Sequence, residues 1–136
     1  MAIDWGRRRV GVALSDPTGT LASPRPTLEG EPRHRLLDAL RTLVVKEEVE
    51  TVVVGLPANM DGTEGPSARE ARRLGADLRE RLPPGVRLLF VDERLSTLQA
   101  RGLLASRGER ARKRTGRLDQ MAAAILLQAW LDGENP

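Results

Sequence analysis

The 136-residue chain lacks several residue types on which common kinds of protein chemistry depend. It has no cysteine, which excludes disulfides and thiolate zinc sites and fits a reducing compartment. One histidine argues against a nucleophilic triad, and three aromatic residues are too few for an extended base-stacking platform. No apolar run approaches the ~20 residues of a membrane span, and no signal peptide opens the chain. We therefore expect a cytoplasmic protein without membrane association.

Basic residues are plentiful and are almost all arginine. The chain has 22 basic and 19 acidic residues, and only Lys46 and Lys113 are lysines. Arginine forms planar forks to phosphate, although a GC-rich genome also favours it. The segment 107–117 holds six positive charges and one negative, which exceeds the net charge of +3 of the whole chain. The segment is either a stretch of solvent-exposed charged residues or a surface that contacts a phosphate backbone.

The hydrophobic pattern predicts an α/β chain of the order β-β-β-α-β-α-β-α-α, forming one domain over residues 1–136. Two apolar runs around a glycine turn predict an opening hairpin, and a short third strand ends at prolines. Later strands alternate with helices, so we expect a mixed five-stranded sheet with helices on both faces. The predicted later segments are a helix at 32–48, a strand at 51–56, a helix at 67–82 capped by Ser67 and Glu70, a strand at 86–91, a short helix at 97–106, a basic loop at 107–117 and a helix at 118–131.

Acidic residues on three separate elements are the first candidates for chemistry. Asp4 lies at the end of the first strand, Asp92 and Glu93 follow a later strand, and Asp119 opens the last helix. Each also has a structural explanation, as a turn cap, an ion-pair partner or a favourable helix-dipole charge. Converging carboxylates need a cation between them, and oxygen-only ligands suit Mg²⁺ or Mn²⁺. Such sites activate water for phosphodiester cleavage without histidine or cysteine.

Basic side chains flank these acids in the sequence and supply the second half of a nuclease-like site. The arginines of the hairpin follow Asp4, and the basic segment ends just before Asp119. The candidate nucleic-acid-binding residues are Arg7, Arg8, Arg9, Arg94, Arg110, Arg112, Lys113, Arg114 and Arg117.

Four segments together resemble the YqgF/RuvX-type Holliday junction resolvase-like family. They are Ile3–Asp16, Val53–Pro57 with Asp61–Thr63, Asp92–Thr97 with Ala100, and Leu118–Gln128. The resemblance covers nearly the whole chain, and Trp5 occupies a position that is variable in the family. It implies a ribonuclease H-like fold, divalent-metal nuclease chemistry and maturation of the 5′ end of the small-subunit ribosomal RNA precursor.

By position, Asp4, Glu93 and Asp119 match the family's three acidic site residues, and Asp92 is an additional candidate. The resemblance leaves the substrate open between structured RNA and branched DNA, since the family was first proposed to cleave Holliday junctions. The protein could be a monomer or a homodimer, although a two-fold junction requires a dimer. A non-catalytic nucleic-acid-binding module is a further alternative. A sugar-kinase-like phosphotransferase needs two such domains, for which the chain is too short.

Overall fold

A computed structural model of the chain describes residues 1–57, 59, 61–93 and 115–134, and only the backbone of residues 115–120 and 134. Its strands are β1 (Ala2–Asp4), β2 (Arg9–Ser15), β3 (Ala22–Glu29), β4 (Thr51–Leu56) and β5 (Arg87–Asp92). Its helices are α1 (Arg33–Lys46), α2 (Pro66–Arg79) and α3 (Thr115–Ala129), and a π-helical turn at Trp130–Glu134 follows α3. The predicted short helix at 97–106 lies outside the described residues.

The five strands form one mixed sheet in the order β3-β2-β1-β4-β5. Strand β2 pairs antiparallel with both β1 and β3, whereas β1 pairs parallel with β4 and β4 pairs parallel with β5. This arrangement confirms the predicted fold class. It follows from the sequence because hairpin turns join antiparallel strands, while a helix is needed to return the chain to a parallel one.

The sheet carries a hydrophobic core on each face. Helices α1 and α2 cover one face, where Leu40 and Leu74 pack against Ile3 and Val54. Helix α3 covers the other, where Leu126 packs with the small residues Ala2, Ala13, Val53 and Ala123. The continuous β-branched run of β4 fits this position, because its side chains are buried on both faces. Small residues beneath α3 let the helix lie close to the sheet.

Strand β3 is longer than predicted. The sequence pattern ended it at Pro26, but it continues to Glu29. Within the described sheet β3 is an edge strand, so its outward-facing N–H groups need no partner. Prolines are therefore tolerated at alternate positions, and they do not end the strand.

The predicted capping box of α2 is wrong. The helix begins at Pro66 with Gly65 as its N-cap, and no side chain caps it. Glu70 instead pairs with Arg33 at 3.3 Å and with Arg73 at 3.0 Å. The predicted boundaries of β4 are correct, those of the other later elements shift by one to a few residues, and α3 takes in the end of the predicted basic loop. No helix in the described ranges is long and apolar enough to cross a membrane.

Candidate active site

The carboxyl ends of β1, β4 and β5 meet at one edge of the sheet, because these three strands are parallel. Asp4 is the last residue of β1, and Asp92 is the last of β5, opposite Leu56 of β4. Glu93 follows directly, and its backbone N–H donates to the Leu56 carbonyl at 3.0 Å. Functional groups commonly gather at this edge in sheets of parallel strands.

Strand alternation separates the two neighbouring acids Asp92 and Glu93. Val91 packs in the core under α3, and Phe90 packs in the core under α1 and α2. Since successive side chains point to opposite faces, Asp92 follows Phe90 to the α2 side and Glu93 follows Val91 to the α3 side. Asp4 shares the α3 side with Ala2 for the same reason. The sheet thus brings Asp4 together with Glu93 and directs Asp92 away.

Glu93 and Asp4 are joined by a hydrogen bond between their carboxyl groups. Burial, this hydrogen bond, and the negative charges of Asp4 and Asp92 together raise the pKa of Glu93 to about 9. At neutral pH the pair therefore holds one proton between its two acids, as expected for carboxylates that cannot both ionise in close contact.

Gly55 makes room for the Glu93 side chain. A Cβ atom at this position would lie 2.8 Å from Glu93 Cγ and 2.8 Å from Leu126 Cδ2, and closer still to Glu93 Oε1. Any side chain at position 55 would push the acid out of place. We assigned Gly55 no role from the sequence, although a glycine inside a buried β-branched run is a known sign of close approach.

Asp92 lies in a different environment, a recess of about 550 Å³ beside α2. The recess is also lined by Glu64, Arg72, Arg79 and Phe90. Arg72 forms two hydrogen bonds to the Glu64 carboxylate, at 2.6 and 2.7 Å, and its guanidinium stacks over Phe90 at 5.2 Å. Arg72 lowers the pKa of Glu64 despite the nearby charge of Asp92. Asp92 thus lines a recess that holds a neighbouring ion pair, and its role as an additional site acid stays a prediction.

The third predicted acid, Asp119, belongs to α3, and its side chain lies outside the described residues. The C-terminal end of α3 is held by Gln128, which accepts from the Ala22 N–H at 2.9 Å and donates to the Thr20 carbonyl at 2.9 Å, at the edge where β1 begins. Leu126, earlier in the helix, lies beside Gly55 close to Glu93, so the helix passes near the acid pair. Residue 119 is nine residues before Gln128, about 13 Å along the helix.

Of the three hairpin arginines, Arg7 lines the same cleft as Glu93. All three are exposed: Arg7 and Arg8 lie on the β1–β2 connection, Arg9 begins β2, and together with Glu29 and Glu31 they line a recess of about 550 Å³. None of the ion pairs among the described residues joins them to Asp4. The other predicted nucleic-acid contacts, Arg94, Arg110, Arg112, Lys113, Arg114 and Arg117, fall outside the described side chains and stay predictions.

A cleft of about 1150 Å³ opens at the carboxyl edge of the sheet, between the β1–β2 connection and the first residues of α1 and α2, and Glu93 lines it where it passes the end of the sheet. Its lining includes Trp5, Arg7, Pro57, Ser67 and Glu93. The cleft exceeds the roughly 300–1,000 Å³ of typical small-molecule pockets. Its size fits a segment of a polymer better than a single small ligand.

The loop after β4 is folded back on itself. Asp61 Oδ1 accepts from the Thr63 N–H at 2.9 Å and from its hydroxyl at 2.7 Å, and Asn59 Nδ2 donates to the Thr63 hydroxyl at 3.0 Å. The polar side chains of Asn59, Asp61 and Thr63 therefore bond to one another. Pro57, at the start of the loop, is the part of it that lines the cleft.

The acid pair has the donor chemistry of a divalent-metal site. Its donors are all oxygens, and the two carboxyls share a proton where a cation would let both ionise. Among the side chains that the structure describes, no group of three or more acids or histidines is arranged to hold a metal. A three-acid set would therefore need Asp119.

The arrangement of strands and acids defines a class of protein. Thermus thermophilus RuvC, solved in complex with a Holliday junction substrate, superposes with a TM-score of 0.54 over 96% of this chain and 94% of that one. At 14% identity this likeness shows the fold alone. The chain is an α/β protein of the ribonuclease H-like fold, with one carboxyl group at the end of its first strand and a second directly after its fifth.

The chain belongs to the RuvX family, described as Holliday junction resolvase, whose model matches residues 1–133. Relatives with the provisional name pre-16S rRNA nuclease include one from Roseiflexus, 41% identical and covering 98% of this chain and 94% of the relative. Another, from Anaeromyxobacter strain Fw109-5, is 42% identical over 99% of this chain and 97% of its own. These matches confirm the resemblance that the motifs indicated.

Proposed function

We propose that the protein is a divalent-metal-dependent endonuclease that matures the 5′ end of the small-subunit ribosomal RNA precursor. The observation that carries the proposal is the Asp4–Glu93 pair at the carboxyl edge of a ribonuclease H-like sheet. The names of the close relatives support the RNA substrate. In the proposal, the protein acts on this precursor in the cytoplasm as one domain over residues 1–136.

Asp4 and Glu93 would hold the metal, with Asp119 as the third ligand. RuvC-like nucleases generally use divalent metals. When bound, Mg²⁺ or Mn²⁺ supplies Lewis-acid chemistry that makes water a nucleophile at neutral pH and stabilises the leaving oxygen. Glu93 must release its proton for this, and Asp4 then keeps its charge beside it. Gly55 keeps the Glu93 carboxyl in place.

The arginines would hold the polyanion. Arg7 lines the cleft together with Glu93, and Arg8 and Arg9 are exposed after it in the hairpin, so in the proposal the three contact phosphates on one side of the cleavage point. In the proposal, the basic segment 107–117 contacts phosphates on the other side. Phosphate contacts of this kind fix the position of the backbone and carry no sequence information.

A cleavage assay with a matched pair of variants tests the proposal. The substrates are a 5′-extended precursor of small-subunit rRNA and a four-way DNA junction, each with Mg²⁺ or Mn²⁺. We expect cleavage of the RNA by the wild type and by Asp92→Asn, and none by Glu93→Gln. Equal cleavage by Glu93→Gln and wild type would show that the pair is structural, which is the outcome that a non-catalytic binding module predicts.

Branched DNA is the second candidate substrate, and the description of the family favours it. The same acids and arginines would serve both reactions. A junction resolvase needs two active sites related by two-fold symmetry, so it should act as a homodimer, whereas a single cut in RNA requires only a monomer. Faster cleavage of the junction than of the RNA, together with a dimeric mass in solution, would select this alternative.

A further inference from the structure

We infer that Trp5 forms a stacking site for one nucleobase of the substrate, immediately beside the acid pair. The inference rests on the proposed function, and it assigns a specificity-determining contact to a residue outside the metal-binding set. Three aromatic residues cannot build an extended stacking platform, but a single ring can hold a single base. Trp5 is the aromatic residue that lines the cleft containing Glu93.

The position of Trp5 follows from strand alternation. Asp4 points to the α3 side, so the next residue, Trp5, points to the side of α1 and α2. One part of its ring packs against the core under these helices, and the side chain remains partly exposed where it lines the cleft. A phosphate held at Asp4 and Glu93 would therefore have an adjoining nucleotide within reach of this ring.

The backbone that carries Trp5 is tightly held. A Cβ atom at Gly30 would lie 3.1 Å from the Arg7 carbonyl carbon and 3.2 Å from the Gly6 oxygen, so the end of β3 touches the hairpin tip. The Gly30 N–H also donates to the Arg8 carbonyl at 2.8 Å. A ring that is already fixed loses little conformational freedom when a ligand stacks on it, which favours binding.

The charges in the cleft indicate an uncharged group beside Trp5. Arg33 is neutralised by Glu70 at 3.3 Å and by Asp77 at 3.2 Å, and Glu31 adds a negative charge. A phosphate is thus disfavoured deep in the cleft, whereas a neutral heterocycle is not. Arg7 is exposed at the rim, and the part of the chain that the structure describes offers it no ion pair. It can hold the phosphate of the same nucleotide.

The chain allows this contact to be observed directly, because it has two tryptophans and no tyrosine. Trp130 packs in the core on the opposite face of the sheet. The variant Trp130→Phe therefore makes Trp5 the single reporter, and Trp5→Leu makes Trp130 the matched control. The probe is a short single-stranded RNA, titrated without divalent metal, and a series in which one nucleotide at a time is abasic.

We expect the RNA to quench the emission of Trp5 but not that of Trp130, with one abasic position relieving the quenching. Trp5→Leu should weaken binding roughly 5- to 150-fold, the range for loss of one stacked base, and Trp5→Phe should weaken it less. Unchanged emission of Trp5, or quenching that is the same for every abasic RNA, would overturn the inference even if Trp5→Leu fails to fold. Cleavage by the wild type reports separately on the proposed function.

Discussion

Replacing Gly55 by alanine should inactivate the enzyme through the packing of a single methyl group. The new Cβ would lie 2.8 Å from both Glu93 Cγ and Leu126 Cδ2, and nearer to the Glu93 carboxyl oxygen. Overpacking of this kind lowers the free energy of unfolding by about 1–3 kcal/mol. For a chain of this length, each kcal/mol corresponds to a fall in Tm of about 3–5 °C.

The effect on cleavage should be larger than the effect on stability. Glu93 is only partly buried at the edge of the sheet, whereas Leu126 is fully buried in the core, so the acid should give way first. A displacement of about 1 Å in a reacting group can slow the reaction about 100-fold. We therefore expect Gly55→Ala to remain folded at 25 °C and to lose about two orders of magnitude in kcat.

Gly75→Ala is the matched control. Its Cβ would lie 2.6 Å from Phe90 Cε1 and Cζ, so it introduces a similar overlap on the opposite face of the sheet. It touches neither acid, and alanine favours the helix by about 1 kcal/mol, which offsets part of the strain. Thermal unfolding and single-turnover cleavage of both variants provide the comparison. Equal losses of activity in the two, or wild-type kcat in Gly55→Ala, would refute the reasoning.

Three further predictions concern charge. In metal-free buffer the free energy of unfolding should fall as pH rises from 4.5 to about 9, by at most about 1.4 kcal/mol per pH unit, because folded Glu93 keeps a proton that the unfolded chain loses. Glu93→Gln should remove this slope, and an unchanged denaturant-titration profile would contradict the assignment. Neutralising Arg7, Arg8 and Arg9 together should reduce the slope of log affinity against log salt by up to about 2, at about 0.7 per phosphate contact; a salt titration by anisotropy measures it. The Thr18 hydroxyl and the Leu21 and Thr20 N–H groups lower the pKa of Asp16 to about 2, so its contribution to the β2–β3 turn should persist above pH 3.8 and disappear as pH falls through 2, whereas Asp16→Asn should show no such transition in acid unfolding.

The sequence predicted the fold because its local signals agree with the tertiary structure. The run Thr51–Leu56 is the observed β4 at both ends, and the apolar stripe of Ala71, Leu74 and Leu78 is the buried face of α2. The errors arose where tertiary context overrides local preference. Prolines end most strands, but the edge strand β3 continues through them. Glu70 forms ion pairs with Arg33 and Arg73 and does not cap α2.

The choice between Asp92 and Glu93 shows why part of the site needed coordinates. A shift of one residue in the end of β5 moves a side chain to the other face of the sheet, and strand ends cannot be read from sequence to that accuracy. The resemblance to the family points to Glu93, and the pairing of Leu56 with Asp92 turns Asp92 to the α1 and α2 side of the sheet. The role of Glu93 as a metal ligand stays a prediction. The contact between Gly55 and Glu93 joins residues on two strands, so no local pattern reveals it.

The outer edge of β3 is poorly suited to adding another strand. Alternate residues of β3 direct their backbone groups away from β2. The first of them, Ala22, donates its N–H to the Gln128 side chain at 2.9 Å. The next two, Pro24 and Pro26, have no N–H to give. A strand arriving there would find acceptors but almost no donors, and its own carbonyls would stay unsatisfied. The β3 edge therefore resists edge-to-edge pairing with the sheet of another molecule. A dimer that cleaves branched DNA would have to assemble through some other surface.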